Sequence, residues 1–461
     1  MEDITEIAID FALKAGAQFA DIRIEHNTGT RLEFVNDNAK KVIQFNEKGL
    51  GIRAFIDGAW GFATLTKITK EAVKEAADSA VRLAKISRAY IKEPFKIDAK
   101  AYRGKSVNLG NKPTDKIPIS DKTDFVKFLS EQARNFDTRI ATAKVIYTDV
   151  ISNKIIANSF GTHVEMQISL PRVSILTTAR EGTNRQRGYK SIGLAGGFEI
   201  FETEKAQKLG EESAKQAVML LSAKAAPSGV FDVVADPELT GVFVHEAFGH
   251  ASEADAFTAK NTVLEDKLGK KVGNEFVNLS DDPTIPGLRG SFEYDSEGTK
   301  TRKRKLVVNG VLTEILHSLE TAARLNLEPN GAARAQDYGY VPIPRMSNTF
   351  MEPGDWSKDE IIEDTKNGIL MAGFEYGYVE PAVGQFMFKS WNGWIIENGE
   401  LKTAVRDAAL AGTILEVLNK INAIGRNVEF NPGVCGKSGQ SVPVMTGGPY
   451  IRIEKIPIGG Q

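Results

Sequence analysis

Val230-Phe231-Asp232-Val233-Val234-Ala235-Asp236-Pro237-Glu238-Leu239, running on to Val242-Phe243-Val244-His245-Glu246-Ala247-Phe248-Gly249-His250, is the stretch that organises the rest of the chain. Its first half is a short, β-branched apolar run, the composition of a buried strand. Asp236 then offers an N-cap oxygen, Pro237 suits the first helical position, and Glu238 complements the positive end of the helix dipole. A strand that feeds directly into a helix puts His-Glu-x-x-x-His roughly two to four turns into that helix.

In the common His-Glu-x-x-His arrangement the histidines are four apart and share one helix face. Here they are five apart, roughly 140° around and ~7.5 Å along an ideal α-helix. Both reach one metal only if the helix carries a π-bulge or the ion sits well off its surface. Gly249 lowers the resistance to such a distortion. On an ideal wheel Val242, Glu246, Gly249, His250 and Glu253 all fall within roughly 140° of His245, so the polar groups share an arc. Two satisfied histidines on a buried helix would give the same pattern, so a further ligand is needed.

Cys435 supplies it. It is the only cysteine, in Asn431-Pro432-Gly433-Val434-Cys435-Gly436-Lys437-Ser438-Gly439-Gln440-Ser441-Val442-Pro443-Val444. One thiolate with two imidazoles suits Zn²⁺, and three protein ligands leave a fourth position open. Gly433 and Gly436 permit close backbone approach to the ion. An inert buried thiol is the competing explanation.

At 461 residues the chain is long enough for two or three domains. Hydrophobic residues at 42% and charged residues at 26% are ordinary for a soluble globular protein. A formal net charge of -2 gives no global reason to expect nucleic acid or an anionic membrane as partner. The basic run Arg302-Lys303-Arg304-Lys305 leads into Leu306, Val307 and Val308 and reads as the solvated end of a strand. Met1-Glu2-Asp3-Ile4 is acidic where a secretory signal is positive, and no apolar run reaches the ~20 residues of a membrane span. A single cysteine excludes an internal disulfide. A cytoplasmic protein is expected.

Residues 1–92 read as an N-terminal α+β domain. Ile4, Ile7, Phe11 and Ala15 mark a helix that Gly16 stops. An antiparallel meander follows: strands at 22–25, 32–35, 42–45 and 51–55, with turns at Asn27–Gly29, Asn36–Asn38 and Asn46–Gly49. Thr69 caps a helix to about Leu83. Residues 93–120, rich in Lys, Gly and Pro, read as a linker or loop. The helix-then-strands order repeats in a middle α+β domain, 121–226, with a helix at 125–136, strands near 143–150, 155–158, 163–168 and 173–179, and a helix from Glu202 to about Ala223. Pro227-Ser228-Gly229 opens a C-terminal α+β domain, 227–461, which holds the metal helix. The class is α+β, not alternating βαβ.

At these segments the chain resembles the TldD/PmbA family, and its TldD branch in particular, over nearly its whole length. The resemblance rests on Ala15-Gly16-Ala17-Gln18-Phe19-Ala20-Asp21-Ile22-Arg23, on His250-Ala251-Ser252-Glu253-Ala254-Asp255, on Arg345-Met346-Ser347-Asn348-Thr349, and on Cys435 to Pro443. It implies a zinc metalloprotease with the metal on His245, His250 and Cys435. It also implies a partner, a paralogous TldE/PmbA-type subunit that lacks the zinc motif, with a homodimer as the other arrangement. The motif set present here looks like that of the catalytic member. Two segments depart from the family pattern: Gly373-Phe374-Glu375-Tyr376-Gly377-Tyr378-Val379-Glu380, and the chain around Leu316–Gly331. Both bear on the substrate channel or the dimer surface.

The resulting expectation is a peptidase for unfolded or extended peptides. Zinc polarises a water and the scissile carbonyl, and Glu246 takes the water proton and passes it to the leaving amine. Glu253 fixes a histidine tautomer, and Asp255 lies off the arc. Arg345, Asn348, Thr349, Ser438, Gln440 and Ser441 are candidates to hydrogen-bond substrate backbone, loop and turn stabilisation being the alternative. His317, His163 and His26 carry no supporting pattern. Two other classes compete: a thiol hydrolase with Cys435 as nucleophile beside His245 or His250, and a non-catalytic peptide-binding subunit of a protease complex.

Overall fold

The computed structural model describes residues 2–460. It is an α+β protein built, among the described residues, on one N-terminal sheet, two large C-terminal sheets and a two-stranded ribbon of Ala333–Arg334 with Ile343–Pro344. Helix α1 (Glu2–Lys14) precedes strands β1 (Phe19–Val35), β2 (Asn38–Ile56) and β3 (Ala59–Leu65). Helix α2 (Lys70–Arg88) begins where expected, with the Thr69 hydroxyl accepting from the Ala72 N–H. The expected meander is instead one long hairpin. Only the turn at 36–38 exists, with Asn36 and Asp37 at positive φ. The glycines read as turns at 29 and 49 lie inside strands, where neighbours leave no room for a side chain. A Cβ on Gly29 would sit 2.1 Å from the Asp149 carbonyl, and one on Gly49 would sit 2.2 Å from the Tyr338 ring.

The segment 93–120 contains a strand, β4 (Arg103–Asn108), parallel to β6 (His163–Ser169). After α3 (Ile119–Phe136) comes β5 (Ile140–Asn158), one strand where two were expected. On one side β5 pairs with β1 from Asp21↔Asn158 to Val35↔Lys144. On the other its first half pairs with β7 (Arg172–Glu181) and its second half with β6. Strand β8 (Asn184–Gly193) completes the sheet as a hairpin with β7. Small residues of α1 and α2, such as Ala12, Ala77 and Ala80, pack on Ile22, Leu50 and Ile52. Phe125 and Leu129 of α3 pack on Leu32, Phe34, Val145 and Tyr147. The helix expected from Glu202 is broken at Lys208 into Glu204–Gln207 and Leu209–Ser222.

In the C-terminal part, strand Gly229–Ala235 runs parallel to Asn367–Ala372 and antiparallel to Ile451–Gly459. A second sheet orders Arg304–Val308, Leu279–Asp281, Asn348–Met351, Gln440–Gly448 and Glu429–Lys437 side by side. The largest core cluster joins Phe243, Val244, Ala247 and Phe248 of the metal helix to Ile369 of the first sheet and Val444 of the second. That helix is thus held from both sides. Arg304, expected at a solvated strand end, is fully buried. It pairs with Asp281 and donates to the carbonyls of Asn330 and Gly331. Among the described residues no helix is long and apolar enough to cross a membrane.

Candidate metal centre

The helix starts as the sequence indicates. Asp236 accepts from the Leu239 N–H at 2.8 Å, Pro237 holds the first position, and Pro237–Val242 is α-helical. From Phe243 to Gly249 the backbone then widens into a π-helix, followed by a 3₁₀ turn at His250–Ser252. The extra residue per turn brings positions five apart onto one face. The His245 and His250 rings meet with centroids 5.4 Å apart, near perpendicular. Gly249 has ordinary helical φ, so its contribution is space and not conformational freedom. A Cβ there would lie 1.9 Å from the Met346 sulfur.

Cys435 arrives from strand Glu429–Lys437. One ligand atom from each of His245, His250 and Cys435 lies within 4.8 Å of the others. Cys435 Sγ is 3.4 Å from His250 Nε2. His245 is 1% exposed, and neither of its ring nitrogens has a hydrogen-bond partner. A satisfied core histidine is therefore not what stands there. A buried imidazole without partners is costly unless something else binds it, and the His₂Cys donor set suits Zn²⁺. Burial alone would raise the Cys435 thiol, but His245 and His250 beside it bring it down to about 5. Burial would depress His250, yet Glu253 and Cys435 hold it well above the usual imidazole range.

Glu253, 1% exposed, accepts from His250 Nδ1 at 2.9 Å and from Lys437 Nζ at 2.9 Å. This contact turns Nε2 of His250 toward Cys435. Burial opposes the ionised form of Glu253, but His250 and Lys437 outweigh it and lower its pKa. Lys437 also reaches Asp255 at 2.7 Å and the Pro344 carbonyl at 3.1 Å. Sequence reading passed over Lys437. Its signal was the two-residue spacing from Cys435, which puts both side chains on one face of a strand. Glu246 Oε2 is 3.6 Å from His250 Nε2, and the Glu246 side chain is 39% exposed.

The expected substrate contacts divide. Arg345, Asn348 and Thr349 are fully buried, and their side chains bond within the protein. Arg345 Nη2 donates to the Cys435 carbonyl at 2.6 Å and so braces the ligand strand. Asn348 donates to the Asp282 carbonyl and Ser291, and Thr349 donates to Asp281. Polar side chains in this strand serve the interior, because Asp281, the cross-strand neighbour of Thr349, and its ion-pair partner Arg304 are buried beside it. Gln440 is tied to the 336–341 loop, donating to the Val341 carbonyl at 2.9 Å. Ser438, at positive φ in the hairpin turn, and Ser441 are exposed. His317 is buried and lowered to about 4 by that burial, while His26 bonds Asn46 at the surface, and neither joins the centre.

The segments 373–380 and 316–331 flank the helix that carries His245 and His250. Gly373 N–H donates to Asp236 Oδ2 at 3.0 Å, tying the edge strand Tyr376–Glu380 to the helix start. Leu316 brackets the helix end, donating to the Ser252 carbonyl at 2.9 Å and accepting from Ala254 N–H at 2.9 Å.

A two-histidine, one-cysteine cluster on a distorted helix with a carboxylate beside it is a donor set of the kind a metallopeptidase uses. Three consecutive segments match PmbA/TldA metallopeptidase domains: domain 1 at 20–84, the central domain at 112–221 and the C-terminal domain at 228–460. The chain belongs to the PmbA/TldD metallopeptidase family. It is 39% identical to a metalloprotease of Methanothermobacter thermautotrophicus, covering 96% of each chain. It is 30% identical to a zinc metalloprotease TldD homolog of Saccharolobus solfataricus, covering 97% of this chain and 98% of the relative. A crystal structure from Thermotoga maritima superposes with a TM-score of 0.82 at 25% identity, covering 99% and 100% of the two chains. TldE from Thermococcus kodakarensis shares the fold, with a TM-score of 0.77 at 18% identity over 99% of this chain and 100% of TldE.

Proposed function

We propose that the chain is a zinc-dependent peptidase that hydrolyses peptide bonds in unfolded or extended peptides. The observation that carries this reading is His245, buried with both ring nitrogens unpartnered beside His250 and Cys435. His245, His250 and Cys435 would hold the zinc, which would supply Lewis-acid activation there. Glu246, partly exposed and next to His250, takes the proton of the attacking water and returns it to the departing amine. Glu253 keeps Nδ1 of His250 engaged, and Lys437 keeps Glu253 ionised and in place. Among the described residues, strand Glu429–Lys437 pairs on one side only, with Gln440–Gly448. Its remaining edge suits an extended peptide, with Ser438 and Ser441 at the adjoining turn.

Cys435, His250 and Glu253 also stand in the order of a thiol triad. Two facts favour the metal instead: Cys435 is only 2% exposed, and a second buried imidazole, His245, converges on the same sulfur where a triad needs only one. The intact ligand set and Glu246 likewise favour a catalytic subunit over one that only binds peptide. Assembly with a TldE/PmbA-type subunit, or with a second copy, completes the proposal, as does a reducing cytoplasm that keeps Cys435 a thiol. Metal analysis of the purified protein beside Cys435→Ala tests it. About one zinc per chain, lost in the variant, is expected. Wild-type protein that takes up no zinc when supplied with it would sink the reading.

A further inference from the structure

A cavity of about 520 Å³ lies between the N-terminal sheet and the loop 283–301, with none of the proposed metal ligands in its wall. This is the size and character of a small-molecule site. Most of the wall is apolar, including Val150 and Met166 from the sheet and Ile285, Phe292 and Pro443 opposite.

Arg289 stands out in this wall. It is 9% exposed, its Nη1 donates to the Leu170 carbonyl at 2.9 Å, and its Nε has no partner. Among the described residues it forms no ion pair, and the charge that acts on it is another guanidinium, Arg172, whose Nε is also unpartnered. Burial, helped by Arg172, lowers Arg289 to about 10. The acids of the wall do not compensate. Glu293 is exposed at the rim. The Asp295 carboxyl is spent on the N–H groups of Glu297, Thr299 and Ala333. A buried cation beside a like charge, with no acid, is costly to keep and is relieved by an anion.

We infer that this cavity is a second ligand site, distinct from the metal centre, that takes a small molecule with an apolar body and one carboxylate, the carboxylate resting on Arg289. The apolar wall buries the body, and the guanidinium offers a charge-assisted contact to the acid through Nη2, since Nη1 is held by the Leu170 carbonyl and Nε is sealed from the cavity. Two sources share this chemistry: the carboxyl end of an apolar amino acid or peptide, and a free aliphatic acid.

Calorimetric titration of the zinc-loaded full chain with N-acetyl-leucine, octanoate and N-acetyl-leucinamide tests the inference. One acid, or both, binds at one site per chain, and the amide binds at least about tenfold more weakly. Preference for N-acetyl-leucine marks a peptide-type ligand, and preference for octanoate marks an aliphatic acid. Arg289→Gln weakens the acid about ten- to hundredfold. Ser106→Trp, from strand β4 at the cavity wall, blocks it without touching Arg289, and decides the matter if Arg289→Gln fails to fold. Binding of neither acid overturns the inference. So does equal binding of acid and amide, or acid binding that survives Ser106→Trp, which assigns it to the metal centre.

Discussion

The backbone N–H of His250 donates to the carbonyl of His245, five residues earlier. In a regular α-helix that N–H would go to Glu246 and the two rings would point apart. The unusual spacing in the sequence and the widened turn in the backbone are therefore one feature. The π-turn costs local helix geometry, and the packing of Phe243, Val244, Ala247 and Phe248 between two sheets holds it.

Gly249→Ala tests the space that this turn needs. The new methyl meets the Met346 sulfur within van der Waals distance, so either Met346 or the turn must move. Overpacking of this kind costs about 1–3 kcal/mol. A lower melting temperature with weaker zinc binding is expected, and unchanged values of both would show that the turn has slack.

Glu246→Gln keeps the three proposed ligands and removes the base. Zinc content stays at the wild-type level, and peptide hydrolysis falls by at least about a hundredfold. Peptidase assays on metal-quantified protein check both halves; retained turnover would remove Glu246 from the role.

Lys437→Met leaves Glu253 buried without its cation, and His250 loses a fixed partner. Zinc affinity, read by competition with a chromophoric chelator, falls about ten- to hundredfold, and the metal-free protein also melts at a lower temperature because a buried carboxylate has lost its cation. Lys437→Arg should recover part of the affinity. If Lys437→Met binds zinc like wild type, the Lys437–Glu253–His250 chain does not position the metal.

Asp236 gives a pH signature. Desolvation of the half-buried Asp236, reinforced by Glu238, raises its carboxyl from 3.8 toward about 7, against the N–H groups of Leu239 and Gly373. The folded state then holds this proton more tightly than the unfolded state. Its contribution to stability is complete below the unfolded value and is lost as pH rises toward about 7. Asp236→Asn keeps an acceptor for Leu239 and should flatten this decline in urea titrations between pH 4 and 7. An unchanged slope would assign the decline to other groups.

Signals that are local in sequence survived into the structure. Asp236 and Thr69 cap the helices their positions indicate, because a cap needs only the few residues that follow it. His245, Glu246, Glu253 and Cys435 stood out in the sequence because their donor types and spacing describe one chemistry, and the fold brings them together. What failed depended on distant neighbours. Gly29 and Gly49 look like turn residues, and only Asp149 and Tyr338 show that they make room. Arg304 looked solvated until Asp281 came beside it, and that same pair draws Thr349 inward. Arg345 faces Cys435 from a segment ninety residues earlier, a contact no periodicity reveals.

Strand β5 has a bearing on how the chain is made. Strand β1 leaves the ribosome with β2 as its only neighbour, and its other edge waits for β5, which is synthesised about a hundred residues later. During that interval a long ladder of backbone donors and acceptors stands open to any passing extended chain. Charged side chains along it, Arg23, Glu25, Arg31 and Glu33, discourage such pairing until Lys154 and Lys144 arrive to meet Glu25 and Glu33. The nascent hairpin is thus guarded by the same residues that later register its proper partner.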